Sequence, residues 1–347
     1  RPFYTQADVL DVPKSTVRHY NWNYYGADEC DNLWESRNFL NCAGKTGDRF
    51  GTQCTVGGCG HGIQRYTNPK VNVAKHPDWY PLVKGKRVPE GGQICLTAYD
   101  MIPTYVSNMV AEIKATYPKL RRDQVKIDFF NLSCADNWTC CECARCTAMY
   151  DMKRQDDSGF RSDYWFTFVN AVAREIRKSH PGKKISTLAY GKGREGLPTF
   201  PIEDNVIVHF CWDSNREPNR QPLFDLQKSL LRQWHERYPK LELGLWFYNG
   251  FPHESGTWFN YLPMPGFFGR LCSDEFKFIK RMNVCDTVFC CGAKDDFESY
   301  LTAHFMWDPD ADYGKLKDRF FGSYGPAAKG IREDLHQLQM VVSGEVY

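Results

Sequence analysis

Residues 162–191 read SDYWFTFVNAVAREIRKSHPGKKISTLAYG. Apolar residues recur at helical spacing from 162 to 180. Ser162 is placed to act as an N-cap, basic residues fill the last turn, and Pro181 stands just beyond. KKISTLAYG (183–191) is short, apolar and rich in strand formers, so it reads as a buried strand. A helix that feeds straight into a buried strand is the unit of a parallel sheet, because parallel neighbours need a crossover between them.

The same alternation runs outward in both directions. Downstream, NVIVHFCW (205–212), LELGLWFY (241–248) and DTVFCCG (286–292) read as strands. PLFDLQKSLLRQWHERY (222–238), SDEFKFIKRM (273–282) and FESYLTAHFMW (297–307) read as the intervening and following helices. Upstream, QVKIDFFNL (124–132) is strand-like, QICLTAY (93–99) with PTYVSNMVAEIKATY (103–117) makes a βα unit, and TVRHYNWNYY (16–25) is the first strand. Between the first strand and that unit lies CAGKTGDRFGTQCTVGGCGHGIQ (42–64), whose glycines and cysteines predict a long rim excursion. Seven or eight βα units predict an α/β fold, a (β/α)8 TIM-type barrel in a single domain over 17–340, after an N-terminal linker at 1–16. A doubly wound open sheet is the alternative.

Composition narrows the function. The 347 residues carry a formal net charge of +2, with no basic or acidic run to serve nucleic acid or an anionic membrane. No apolar run is long enough to span a bilayer. No signal peptide opens the chain, and Arg1 reads as an internal or processed start. Aromatic residues make up 15% of the chain, and many stand beside Gly, Pro or polar residues, which suits rings stacked on ligands as well as it suits a large core. Fifteen cysteines favour an oxidising compartment or a bound metal. Two sequons begin at Asn131 and Asn137; the first falls in the predicted strand.

In a barrel, the site forms where the C-terminal ends of the strands open into loops. Those ends here supply carboxylates, aromatics and amides, with no phosphate loop or dinucleotide fingerprint. Asp136 and Asp213 are the candidate catalytic carboxylates, with Glu298 in reserve beside Asp295 and Asp296. His61, flanked by glycines, together with Asn137, Tyr190, Arg194, Trp212, Trp246, Tyr248 and Trp258, are the candidate ligand contacts. For each carboxylate the competing reading is a turn or helix cap, and for each ring a place in the core.

The cysteines are densest at 133–146, SCADNWTCCECARC. Cys140, Cys141, Cys143 and Cys146 form overlapping Cys-x-x-Cys and Cys-x-Cys spacings, which allow disulfide bracing, a structural zinc or free thiols. Cys54, Cys59 and Cys95 are further ligands or partners for either arrangement. Nothing nearby specifies the electropositive setting a catalytic thiol needs.

Several motifs, in order, resemble one known family. GCGHGIQRYTNPKVNVAKHPDWYPLVKGKR (58–87) is similar to a Gly-His pair, a His-Pro stretch and a Gly-Lys-Arg turn of the domain of unknown function 4838 family. DNWTCCECARC (136–146) resembles its Asp followed by Cys-x-Cys-x-x-Cys, and 164–191 its helix and Ala-Tyr strand. HFMWDPDADYGKLKDRFFGSYGPAA (304–328) resembles its ending. The resemblance spans most of 17–330. Part of that family is classified as glycoside hydrolase family 163, which acts on N-glycans. The resemblance therefore implies a (β/α)8 barrel, often preceded by a small domain that this chain lacks, in an exported protein.

The chain departs from the family where many members carry Glu, reading Trp212-Asp213-Ser214 and Cys290-Cys291. Its LWFYNGFPHESGTWFNYLPMPGFF (245–268) resembles a branch without a settled activity. The expectation is a secreted, periplasmic or cell-surface glycoside hydrolase acting on a glycan that carries N-acetylhexosamine. Its catalysis would be carboxylate-based or substrate-assisted, with no cofactor beyond a structural zinc. A non-catalytic carbohydrate-binding barrel is the alternative, and a zinc-dependent enzyme the third reading.

Overall fold

The computed structural model describes residues 17–21, 54–56, 61–116, 125–127, 129–137, 139–150, 152–155, 157–191, 193–212, 221–248, 287–291 and 296–334. The N-terminal segment 1–16 and the predicted helix 273–282 lie outside them.

Ten strands are described. These are β1 (Val17–Asn21), β2 (Cys54–Val56), β3 (Leu82–Val83), β4 (Lys86–Arg87), β5 (Val125–Ile127), β6 (Phe129–Asn131), β7 (Lys184–Ala189), β8 (Val206–Trp212), β9 (Glu242–Tyr248) and β10 (Thr287–Cys291). The α-helices are α1 (Pro69–Asn72), α2 (Ile102–Thr116), α3 (Ala144–Thr147), α4 (Ser162–Ser179), α5 (Gln221–Arg237), α6 (Asp296–Trp307) and α7 (Tyr313–Gly322). The predicted segments at 162–180, 183–191, 205–212, 222–238, 241–248, 286–292 and 297–307 all appear, within a residue or two at each end.

The main sheet has six strands in the order β1-β10-β9-β8-β7-β6, and every pairing is parallel. Beyond its β6 edge the chain pairs once more: β5, one residue before β6, runs parallel to β2 with Val56 opposite Ile127. From β6 to β10 the strands lie side by side in chain order, and the first strand closes onto the last. The fold is thus α/β with sequential parallel topology.

Two expectations fail here. The stretch 42–64 is not all excursion, because β2 sits inside it; three residues are too few to show a strand's alternation. QICLTAY is not a strand. Ile94, Cys95 and Leu96 are buried, but the Cys95 N–H bonds to the Trp79 carbonyl at 2.8 Å, and the chain then turns into α2.

The sheet's two faces differ. On β8, Val206, Val208, Phe210 and Trp212 join the apolar core that also contains the buried side of α4. Strand alternation puts Ile207, His209 and Cys211 on the opposite face. Ser186 of β7 faces the same way, and its hydroxyl lies 3.2 Å from His209 Nδ1. The helix α4 earns its place through Trp165, Phe168, Val169, Val172, Ala173 and Ile176, all fully buried. Phe166 meets Trp234 of α5 edge-on with ring centroids 5.3 Å apart, a pair adding about 1 kcal/mol beyond the area it buries.

Ser162 does not cap α4. Arg161 is the N-cap residue, while the buried Ser162 hydroxyl donates to the Gly196 carbonyl at 2.6 Å. That bond ties the helix to the loop after β7. Among the described residues, no helix is long and apolar enough to cross a membrane.

Candidate functional site at the strand ends

Three parallel strands, β2, β6 and β7, deliver three side chains to one place. His61 follows β2 by five residues, Asp136 follows β6 by five, and Tyr190 follows β7 directly. Because these strands are parallel, all three side chains leave from C-terminal ends, where α/β sheets bind ligands.

The Tyr190 hydroxyl donates to Asp136 Oδ1 at 2.8 Å. His61 Nε2 stands 3.6 Å from the same oxygen. The His61 and Tyr190 rings lie 5.4 Å apart between centroids at 50°. On its other side His61 Nδ1 is 2.8 Å from the Cys134 carbonyl oxygen. A carbonyl only accepts, so Nδ1 carries the hydrogen and Nε2 is the nitrogen left to meet Asp136. Both contacts converge on Oδ1. The carboxylate side chain is 65% exposed, so it is open to a ligand while one of its oxygens is held.

Around this group the backbone is pinned by amides. Gln93 Nε2 donates to the Asn137 carbonyl at 3.3 Å and to Asn137 Oδ1 at 3.2 Å, and approaches the Ala135 carbonyl at 3.4 Å. Asn137 Nδ2 donates to the Gly91 carbonyl at 2.7 Å. Gln64 Nε2 reaches the Pro89 and Gln93 carbonyls at 2.7 and 3.0 Å. Gln93 therefore links the residues on either side of Asp136 to the segment that carries His61. Asn137 is a strut, with its amide spent on backbone and Thr139.

Arg194 lies in the loop after β7. It is buried, and its Nε finds no hydrogen-bond partner among the described residues. Gly193 shapes that loop: it has φ of +81°, and a Cβ there would stand 2.2 Å from the Phe160 ring. Trp212 is fully buried on the helix-facing side of β8 and Trp246 nearly so, which leaves neither ring a free stacking face. Tyr248 is the last residue of β9. Glu298 lies in the first turn of α6. Asp213 and Trp258 fall outside the described residues, as does Cys59.

The cysteine reading changes in its membership. The sulfurs of Cys95, Cys141, Cys143 and Cys146 all lie within 4.8 Å of one another, a group able to hold a metal ion. Cys140 is not one of them; Cys95, arriving from the segment first read as a strand, takes its place. Cys95, Cys134, Cys140, Cys141, Cys143, Cys146 and Cys211 are unbonded thiols. Burial pushes Cys134 and Cys140 up, against the pull of nearby arginines, so neither resembles an activated nucleophile.

The four clustered thiols titrate as a group. Cys95 is held far below the ordinary thiol range because Cys141 and Cys146 hydrogen-bond to its sulfur. Cys146 is held far above it, because Cys141 and Cys95 share its proton.

The parallel sheet defines the class, an α/β domain, and the His–Asp–Tyr group is a candidate site at its carboxyl edge. Over residues 3–335 the chain matches the family described as domain of unknown function (DUF4838), and it belongs to that family. No curated protein matches it.

Proposed function

We propose that the protein is a carbohydrate-active (β/α)8 barrel, a glycoside hydrolase whose substrate-facing acid–base group is Asp136. The observation that carries this reading is the convergence of His61 and Tyr190 on a single oxygen of Asp136 beyond the ends of β2, β6 and β7.

Strand order supports closure into a barrel. Right-handed crossovers between strands laid down in sequence all place their helices on one face. The other face, with Ser186, Ile207, His209 and Cys211, is then buried only if the sheet curls shut, and β1 on β10 is the pairing such closure needs.

Glycoside hydrolysis requires a proton for the departing oxygen and a nucleophile at the anomeric carbon. Tyr190 and His61 hold Asp136 Oδ1, which leaves Oδ2 to face the sugar. Asp213, next in sequence after β8, is the second carboxylate in this reading, with Glu298 in reserve. On a substrate bearing an N-acetyl group, the acetamido oxygen would serve as the internal nucleophile, oriented by one Asp, while the other acid protonates the departing oxygen. No metal takes part in this chemistry; a metal at the thiol cluster would be structural. An exported location fits a glycan substrate, although the unbonded thiols do not argue for it.

The test is product release from a mixed pool of N-glycans, mucin glycans and plant and algal polysaccharides, read by mass spectrometry beside Asp136→Asn. Release by the wild type that vanishes in the variant supports the reading, and the product mass names the bond. A second reading, a non-catalytic carbohydrate-binding barrel, is favoured by the end of β10, where Cys290 and Cys291 stand in place of an acid. Retained sugar binding without release from any substrate would select it.

A further inference from the structure

The geometry points to a four-thiolate zinc site formed by Cys95, Cys141, Cys143 and Cys146, which clamps the segment around Gln93, itself held by Gln64 beside His61, to the loop that carries Asp136. This inference does not depend on any activity toward glycans.

The spacing fits metal better than disulfide. Cys95 Sγ lies 3.8 Å from Cys143 Sγ and 3.6 Å from Cys146 Sγ. Bonded sulfurs stand about 2.05 Å apart. Four sulfurs arranged tetrahedrally around zinc at about 2.3 Å lie roughly 3.8 Å from one another. Two disulfides would have to draw each bonded pair in to about 2.05 Å, whereas one ion satisfies all four sulfurs at the separations found.

The surroundings are those of thiolates. The Leu82 N–H donates to Cys141 Sγ at 3.3 Å, and the Thr97 hydroxyl lies 3.1 Å from Cys146 Sγ and 3.4 Å from Cys95 Sγ. Arg87 Nη1 approaches Cys141 Sγ at 4.0 Å and brings a positive charge toward what would be a doubly negative centre. Such outer donors orient metal-bound sulfur and temper its charge. Cys95, Cys141 and Cys146 are buried and Cys143 half-buried, so the ion would sit away from water with no open position, which makes the site structural.

The site joins segments distant in sequence. Cys141, Cys143 and Cys146 follow Asp136 on the chain leaving β6, while Cys95 lies two residues from Gln93. Around them the β3–β4 hairpin is stitched to the same loop, with the Glu142 N–H on the Leu82 carbonyl at 2.7 Å and the Lys84 N–H on Glu142 Oε2 at 2.6 Å. Zinc would displace the thiol protons and fix the loop from which Asp136 projects.

The experiment is elemental analysis of protein purified under reducing conditions without added chelator, with zinc-edge absorption spectroscopy on the same sample. The expected result is one zinc per chain, bound by four sulfurs at about 2.3 Å. Cys140→Ser should keep the full metal content and Cys95→Ser should lose it. If Cys95→Ser does not fold, the wild-type spectrum still decides through its sulfur count. A folded wild type that stays metal-free after zinc addition, with all four thiols open to titration, overturns the proposal. So does a disulfide mapped among the four, or a zinc shell containing nitrogen or oxygen ligands.

Discussion

His61 Nδ1 and the carbonyl oxygen of Cys134 are 2.8 Å apart, and this contact decides which nitrogen of His61 can act. The ring is aimed from behind by backbone, in the way a second group orients a catalytic imidazole. His61→Asn keeps a donor for that carbonyl and removes Nε2. Its stability to urea should stay within about 0.5 kcal/mol of wild type while glycan release falls, since a hydrogen bond retained costs little. A stability loss equal to that of His61→Ala, with release unchanged, would reduce His61 to a strut.

Asp136→Asn removes the charge and the exchangeable proton while keeping the shape. Release of product should drop by a factor on the order of 10² to 10⁴, the usual worth of a positioned acid–base group. Tyr190→Phe leaves Oδ1 without its hydroxyl donor. It should lower product release while leaving stability to urea within about 1 kcal/mol of wild type, the usual worth of one hydrogen bond. Unchanged release would separate Tyr190 from the chemistry.

Gly193→Ala meets two obstacles at once: a φ of +81° and a Phe160 ring 2.2 Å from the new Cβ. The expected loss is about 1–3 kcal/mol by urea denaturation. The loop that carries Arg194 should also gain amide exchange relative to α4. A neutral outcome would mean that Phe160 moves aside freely.

Two buried histidines set an acid limit. Burial pushes His209 down to about 3 and His304 to about 4, both well under the unfolded value of about 6.5. The folded state keeps these rings neutral while the unfolded chain takes up protons. Their contribution is complete above pH about 6.5 and is lost progressively as pH falls toward the folded values. Lowering the pH from 7 to 5 should therefore cost roughly 2 kcal/mol per ring. His209→Asn should flatten the fall between those two pH values; an unchanged slope would assign it to other groups.

The long strands and helices were legible because each carries its own pattern. Seven consecutive buried residues in β8, and the apolar stripe of α4, can be read with no knowledge of the rest of the chain. What stayed hidden depends on contacts between distant segments. β2 is three residues long and becomes a strand only by lying against β5. Cys95 sits in a run with strand composition, and only the folded chain shows it turning its sulfur toward 141–146.

The site divides the same way. Asp136 and Tyr190 could be picked out as strand-end residues and His61 by its flanking glycines, but their meeting on one oxygen could not. Gln93 escaped notice because one glutamine in a loop carries no signal; its role exists only in the two carbonyls and one amide oxygen its side chain touches.

The pairing of β1 with β10 has a consequence for how the chain is made. Val17 lies opposite Thr287, so β1 leaves the ribosome long before β10, its partner, exists. Through that interval an uncovered strand edge is exposed to other nascent chains, the circumstance in which slow, long-range pairings give rise to aggregation. Production of this protein should therefore depend on elongation rate and chaperone supply more than its finished stability would suggest. Any fragment that ends before β10 would carry a first strand with nothing on that side to hold it.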